Sequence, residues 1–151
     1  MAKTPDPKIV NELVSLGWSA RTLEVGLHAK FRCEYCGRCL IDTVDDYFYF
    51  TEVDHIHPVA KEGPDVIENM AYSCKACNFI KRAWVPNADV KWDANQRRKR
   101  IAEAKCFIQA ERQEKADRLK RVQALLGQLK SSDEMAIHSS QEVIEHEDQN
   151  L

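Results

Sequence analysis

The sequence predicts an α+β fold in which a small strand–loop–strand–helix unit is flanked by helices. Three observations predict it. Two Cys-x-x-Cys pairs, Cys33/Cys36 and Cys74/Cys77, stand at the two ends of residues 30–86. Between them, an aromatic and β-branched run, a turn cluster and a second short apolar run read as two strands. On both sides of this block, apolar residues recur at helical spacing.

Residues 1–29 form an N-terminal helical segment. Asp6 is placed to cap a first helix with Pro7 in its first turn. Ile9, Val10, Leu13, Val14 and Leu16 supply an apolar face, and Gly17 is the expected C-cap. Ser19 can cap a second short helix through about Leu27. Both helices are expected to pack on the next unit. In residues 30–86, Lys30 to Gly37 reads as a knuckle, a tight turn whose glycine follows the second cysteine. Tyr47 to Val53 is the expected first strand, interrupted at Pro58. Lys61 to Asp65 is a loop, and Ile67 to Tyr72 the expected second strand. A helix is expected from Cys74 to about Ala83, ended by Pro86.

Residues 91–130 predict a long basic amphipathic helix, capped by Asp93 and ending near Leu129. Leu119, Val122, Leu126 and Leu129 repeat at 3-4-3 spacing, with Ile101 and Ile108 upstream. The stripe is broken between Ile108 and Leu119, too short for a coiled coil. The helix is expected to pack back on the core or to pair with a second copy or another protein. Residues 131–151 are polar and acidic and are expected to be a disordered tail.

With 151 residues, 44 % apolar and 30 % charged, the composition is that of a globular chain. No window approaches the roughly 20 apolar residues of a bilayer span. The start, MAKTPDPK, lacks an apolar signal core, so a cytoplasmic location is expected. The net charge of −2 hides its distribution. Lys and Arg against Asp and Glu number 10 and 13 in residues 1–90, 12 and 5 in 91–130, and 0 and 6 in 131–151. A basic segment between a near-neutral block and an acidic tail is a pattern of polyanion contact. The tail could compete for that basic surface when nucleic acid is absent.

In a reducing compartment the six cysteines are not expected to form disulfides. The two Cys-x-x-Cys pairs offer four thiolates to one tetrahedral structural zinc, which four soft ligands favour over an iron–sulfur cluster. Cys39 is read as a bystander thiol and Cys106 as core packing on the long helix. Between the pairs stands Val53-Asp54-His55-Ile56-His57-Pro58; after the second come Asn78, Lys81 and Arg82. Hydrolysis of a phosphodiester needs a metal, a base and cations. Asp54 and Asn78 offer hard oxygen ligands suited to magnesium or manganese. His55 can be the general base. Adjacent strand residues point to opposite faces, so Asp54 and His55 share a site only if the chain bends there.

The order Cys33-x-x-Cys36, Asp54-His55-Ile56-His57-Pro58, Asn69, Cys74-x-x-Cys77-Asn78-x-x-Lys81 resembles the HNH endonuclease family, in its cysteine-bearing branch. The resemblance covers about residues 30–85 and implies a ββα-metal core. It implies that His55 activates water, that Asp54 and Asn78 bind a catalytic magnesium, and that Asn69 braces the loop between the strands. It implies structural zinc on Cys33, Cys36, Cys74 and Cys77. Many members have histidine where this chain has Asn78, and asparagine still offers an oxygen. His57 is read as an accessory or surface residue.

Nucleic acid, double-stranded DNA in particular, is the expected partner. Lys81, Arg82, Arg97, Arg98, Lys99 and Arg100 are the expected phosphate contacts, holding backbone rather than reading sequence. Two other readings compete with an active endonuclease. One is a zinc-stapled binding module or partner-dependent subunit without turnover of its own. The other, a redox or zinc sensor, leaves Asp54, His55 and Asn78 without a purpose.

Overall fold

The computed structural model describes residues 6–147, with side chains described through residue 129. The chain divides into two compact units, residues 1–109 and 110–151.

In the first unit, α1 (Pro7–Ser15) begins where expected, its first turn capped by the Asp6 carboxylate, which accepts from the Lys8 N–H at 2.9 Å. No residue of α1 is buried, and Ile9, Val14 and Leu16 are exposed, so most of its expected packing face stays open. Helix α2 (Ala20–His28) is capped by Ser19 and does pack, burying Leu23, Val25 and Gly26.

The aromatic run departs from the expected strand. Residues Val44–Phe48 form a short helix, α3, and β1 covers only Thr51–His55. The Thr43 hydroxyl accepts from the Asp46 N–H at 3.0 Å, and Asp45 and Asp46 lie in the first turn. A hydroxyl cap and acids at a helix N-terminus outweigh the β propensity of Tyr47 and Phe48. The second strand also starts later. Ile67–Asn69 is a 3₁₀ turn, and β2 covers Met70–Cys74. The two strands pair antiparallel without a bulge, Asp54 opposite Ala71 and His55 opposite Met70. Helix α4 (Lys75–Lys81) follows β2 directly. The ββα order of the expected core is therefore present.

Every residue of β2 is buried. Val25 of α2, Leu40, Ile56, Met70, Ala71 and Tyr72 form the core. The start of the last helix, α5 (Arg97–Glu147), adds Ala104 and Ile108 to it. Trp84 stacks on Phe107 with centroids 4.8 Å apart.

In the second unit, Leu119, Val122, Leu126 and Leu129 are exposed. Helix α5 continues to Glu147 rather than ending near Leu129. Residues 131–147, where a tail is expected, fall within the bounds of this helix. They contain neither Gly nor Pro, so charge changes along this stretch without any residue that stops a helix. The last four residues of that tail lie outside the described residues. Among the described residues, no helix is long and apolar enough to cross a membrane.

Candidate functional site

The four cysteines of the two pairs converge. Cys33 and Cys36 sit on the knuckle, Cys74 ends β2, and Cys77 is in the first turn of α4. The knuckle closes by Gly37 N–H donating to the Cys33 carbonyl at 2.7 Å, with Gly37 at φ +78°, a region a side chain rarely adopts. All four sulfurs lie within 4.8 Å of one another. Sulfurs at about 2.3 Å from a tetrahedral zinc stand roughly 3.8 Å apart. Cys36 and Cys74 are separated by that much, 3.8 Å. The set fits a metal such as zinc. Hydrogen bonds from Cys33 and Cys77 favour a thiolate at Cys74, whereas the same crowding holds the Cys77 proton on. Cys39 lies outside the cluster and donates to Asp42 at 3.0 Å. Cys106 is exposed, not core packing, because α5 turns Ala104 and Ile108 inward instead.

Strand alternation puts Glu52 and Asp54 on one face of β1, opposite α4. Asp54 is buried. Its carboxylate accepts from the Tyr35 hydroxyl at 2.5 Å and pairs with Lys81 Nζ at 2.9 Å. Burial raises the Asp54 carboxyl above its usual range, against the opposing pull of Lys81 and Tyr35. Burial, and then the charge of Asp54, push the Tyr35 hydroxyl well up. One turn back on α4, Asn78 Nδ2 donates to Glu52 at 2.5 Å. The donor end of that amide is thus committed to Glu52, and its oxygen is the end that could meet a metal.

His55 follows Asp54 but faces away from Lys81. Its Nε2 lies 2.9 Å from Oδ1 of Asp65, and its side chain is 28 % exposed. No bulge rotates the two neighbours onto one side, so the bend that a shared site requires is absent from β1. Lys81 links the two positions, donating to the His55 carbonyl at 2.8 Å as well as to Asp54.

The loop between the strands is tied by Asn69. Its Oδ1 accepts from the His57 N–H at 2.8 Å; its Nδ2 donates to the His57 and Pro64 carbonyls at 2.9 and 2.8 Å. His57 is buried rather than at the surface, its Nε2 2.8 Å from the Lys61 carbonyl. Gly63 closes the loop so tightly that a Cβ there would lie 2.0 Å from the His57 carbonyl oxygen.

The expected phosphate contacts separate into two groups. Lys81 is buried on Asp54 and is not a surface cation. Arg97 holds Glu34 through two bonds of 3.0 Å and the Met70 carbonyl at 2.7 Å, fastening α5 to the knuckle and β2. Arg100 is engaged with Glu103 and Gln96, each at 2.9 Å. Lys81 and Arg97 are used by the fold, held by acids and carbonyls of other elements, while Arg100 is held locally by residues three and four positions away. Arg98 and Lys99 are exposed. Arg82 is exposed too, its guanidinium 4.3 Å from the Phe79 ring centroid.

Tyr35, Glu52 and Asp65 are partners that the motif reading passes over. Glu52 alone had a local signal, since an acid two residues before Asp54 must share its strand face. The oxygens of Glu52, Asp54 and Asn78 fit a hard divalent ion in donor chemistry. A carboxylate has about four lone-pair directions, so Tyr35 and Lys81 do not exhaust Asp54.

No curated protein and no solved structure matches the chain. Residues 33–83, which hold the four-sulfur cluster, both strands and α4, match the family model described as HNH endonuclease.

Proposed function

We propose that this protein is a metal-dependent endonuclease that hydrolyses phosphodiester bonds in double-stranded DNA. The observation that carries the reading is a partly exposed imidazole, His55, next along β1 to the hard oxygen donor Asp54, inside a segment matching a nuclease family. His55 is the group that takes the proton of the attacking water. Water adds to phosphorus and its proton passes to His55; the P–O bond to the leaving sugar breaks, and that sugar oxygen takes a proton from solvent water. Asp54 and Asn78, with Glu52 beside them, would hold magnesium or manganese, which supplies charge neutralisation at the phosphate oxygens. Asn69 keeps the loop after His55 in place through its three hydrogen bonds. Arg82, Arg98 and Lys99 are exposed cations that would meet the DNA backbone. The four cysteines hold structural zinc, since four protein ligands leave no open position for substrate.

One observation favours a second reading, a zinc-stapled nucleic-acid-binding module. Lys81 already supplies the countercharge of Asp54, which a catalytic metal has to share. Plasmid cleavage separates the two. Supercoiled plasmid incubated with the protein and magnesium or manganese is expected to be nicked or linearised. EDTA or His55→Ala is expected to stop it. A folded, zinc-loaded wild type that binds DNA and cuts none would establish the binding module instead.

A further inference from the structure

The carboxylate that meets His55 is itself held from a third element. Arg21 of α2 reaches Oδ1 and Oδ2 of Asp65 with two guanidinium nitrogens, at 2.9 and 3.3 Å. His55 Nε2 lies 2.9 Å from the same Oδ1. Strand β1, the loop before β2, and α2 thus meet in one chain of contacts, Arg21–Asp65–His55. Arg21 lies upstream of the residues that match the HNH family.

A carboxylate only accepts hydrogen bonds. A neutral His55 bonded to Asp65 must therefore carry its proton on Nε2, and Nδ1 keeps the lone pair. Which ring nitrogen can work as a base is set by the bond the other one makes. Asp65 is suited to this task in its ionised form. The bond from His55, and then the charge of Arg21, hold its carboxyl below the usual range. A two-pronged guanidinium fixes the plane of a carboxylate as well as its charge. The chain has little value as a staple, since Arg21 and Asp65 side chains are 52 % and 55 % exposed and exposed ion pairs contribute little stability.

We propose that Asp65, clamped by Arg21, is the positioning residue of His55, fixing the imidazole in the tautomer whose Nδ1 takes the proton from water. Helix α2 is then part of the nuclease site. The proposal rests on the reading of His55 as the general base, and its test keeps the two apart.

The test uses the full zinc-loaded chain. In ¹⁵N spectra of the ring at a pH where His55 is neutral, the wild type is expected to show the Nε2–H tautomer. Asp65→Ala is expected to show a mixture, and Arg21→Gln an intermediate pattern. In plasmid cleavage, Asp65→Ala is expected to lower kcat by about 10- to 100-fold, by analogy with removal of the carboxylate partner of a metal-bound histidine, with KM little changed. Asp65→Glu is expected to recover part of the loss. An unchanged tautomer in Asp65→Ala, or an unchanged kcat in that variant, overturns the proposal. Equal activity of wild type and His55→Ala instead overturns the general-base reading, and the ring spectra then still decide whether Asp65 sets the tautomer. Zinc content and thermal unfolding identify any variant that fails to fold, and Arg21→Gln, which leaves the loop untouched, takes its place.

Discussion

Lys81 on α4 and Asp54 on β1 form a buried ion pair, Nζ to Oδ2 at 2.9 Å, with the Tyr35 hydroxyl on the same carboxylate. Removing one partner of a buried pair strands the other charge. Lys81→Met is expected to cost about 3–5 kcal/mol in urea unfolding of the zinc-loaded protein. The double variant Asp54→Asn/Lys81→Met is expected to recover most of it. A purely additive double variant would show that the two side chains do not share their desolvation.

Arg97 and its neighbours in sequence differ in kind. Arg97 is bonded to Glu34 and to the Met70 carbonyl, while Arg98 and Lys99 are exposed. Arg97→Ala is expected to lower stability by about 1.5–3 kcal/mol, the worth of hydrogen bonds to a charged group. Arg98→Ala and Lys99→Ala are expected to stay within about 0.5 kcal/mol of the wild type. Each is expected to reduce the slope of log affinity against log salt by roughly one, uniformly across DNA sequences. Stability and salt titrations on the three variants test this directly.

The sulfur cluster predicts a thiol count. Cys33, Cys36, Cys74 and Cys77 are the four placed to hold a metal, and Cys39 and Cys106 lie outside. With zinc bound, a thiol reagent is expected to label Cys39 and Cys106 quickly and the other four slowly. A strong chelator is expected to open all six and to unfold the HNH segment, because zinc binding and folding are one free energy there. Rapid labelling of Cys33 or Cys77 in the metal-loaded protein would contradict the four-sulfur site.

Asp65 gives a pH dependence whose sign follows from its environment. The bond from His55, followed by the charge of Arg21, lowers its carboxyl in the folded protein. A lowered carboxyl contributes stability above its unfolded value, about 3.9, and loses it as pH falls through the folded value. Asp65→Asn is therefore expected to melt slightly below the wild type near pH 6. The two melting curves are expected to converge below about pH 4. The contribution is small because the carboxylate is exposed.

Local spacing made part of this protein legible in its sequence. Two residues between cysteines fix where their sulfurs point on a turn, so the four-sulfur site could be read before any fold was known. The same holds for the strand–loop–strand–helix order, for the caps at Asp6 and Ser19, and for the HNH resemblance of residues 30–85. The aromatic run at Tyr47 misled, because a cap at Thr43 and two acids act locally against β propensity.

The sequence by itself determined which chemistry could assemble here: four thiolates, a set of hard oxygens and an imidazole, in a fixed order along the chain. Only the tertiary structure decided which partner each side chain took. Asp54 turned inward to Tyr35 and Lys81, His55 outward to Asp65 and Arg21, and Arg97 back to Glu34. The physical reason is that these pairs join elements between 10 and 63 residues apart. Strand alternation says that neighbours face opposite ways, but not which face meets α4 and which meets the loop. That choice is made by burying β2 in the core against α2 and α4, and it turned Lys81 and Arg97 from expected phosphate contacts into parts of the fold.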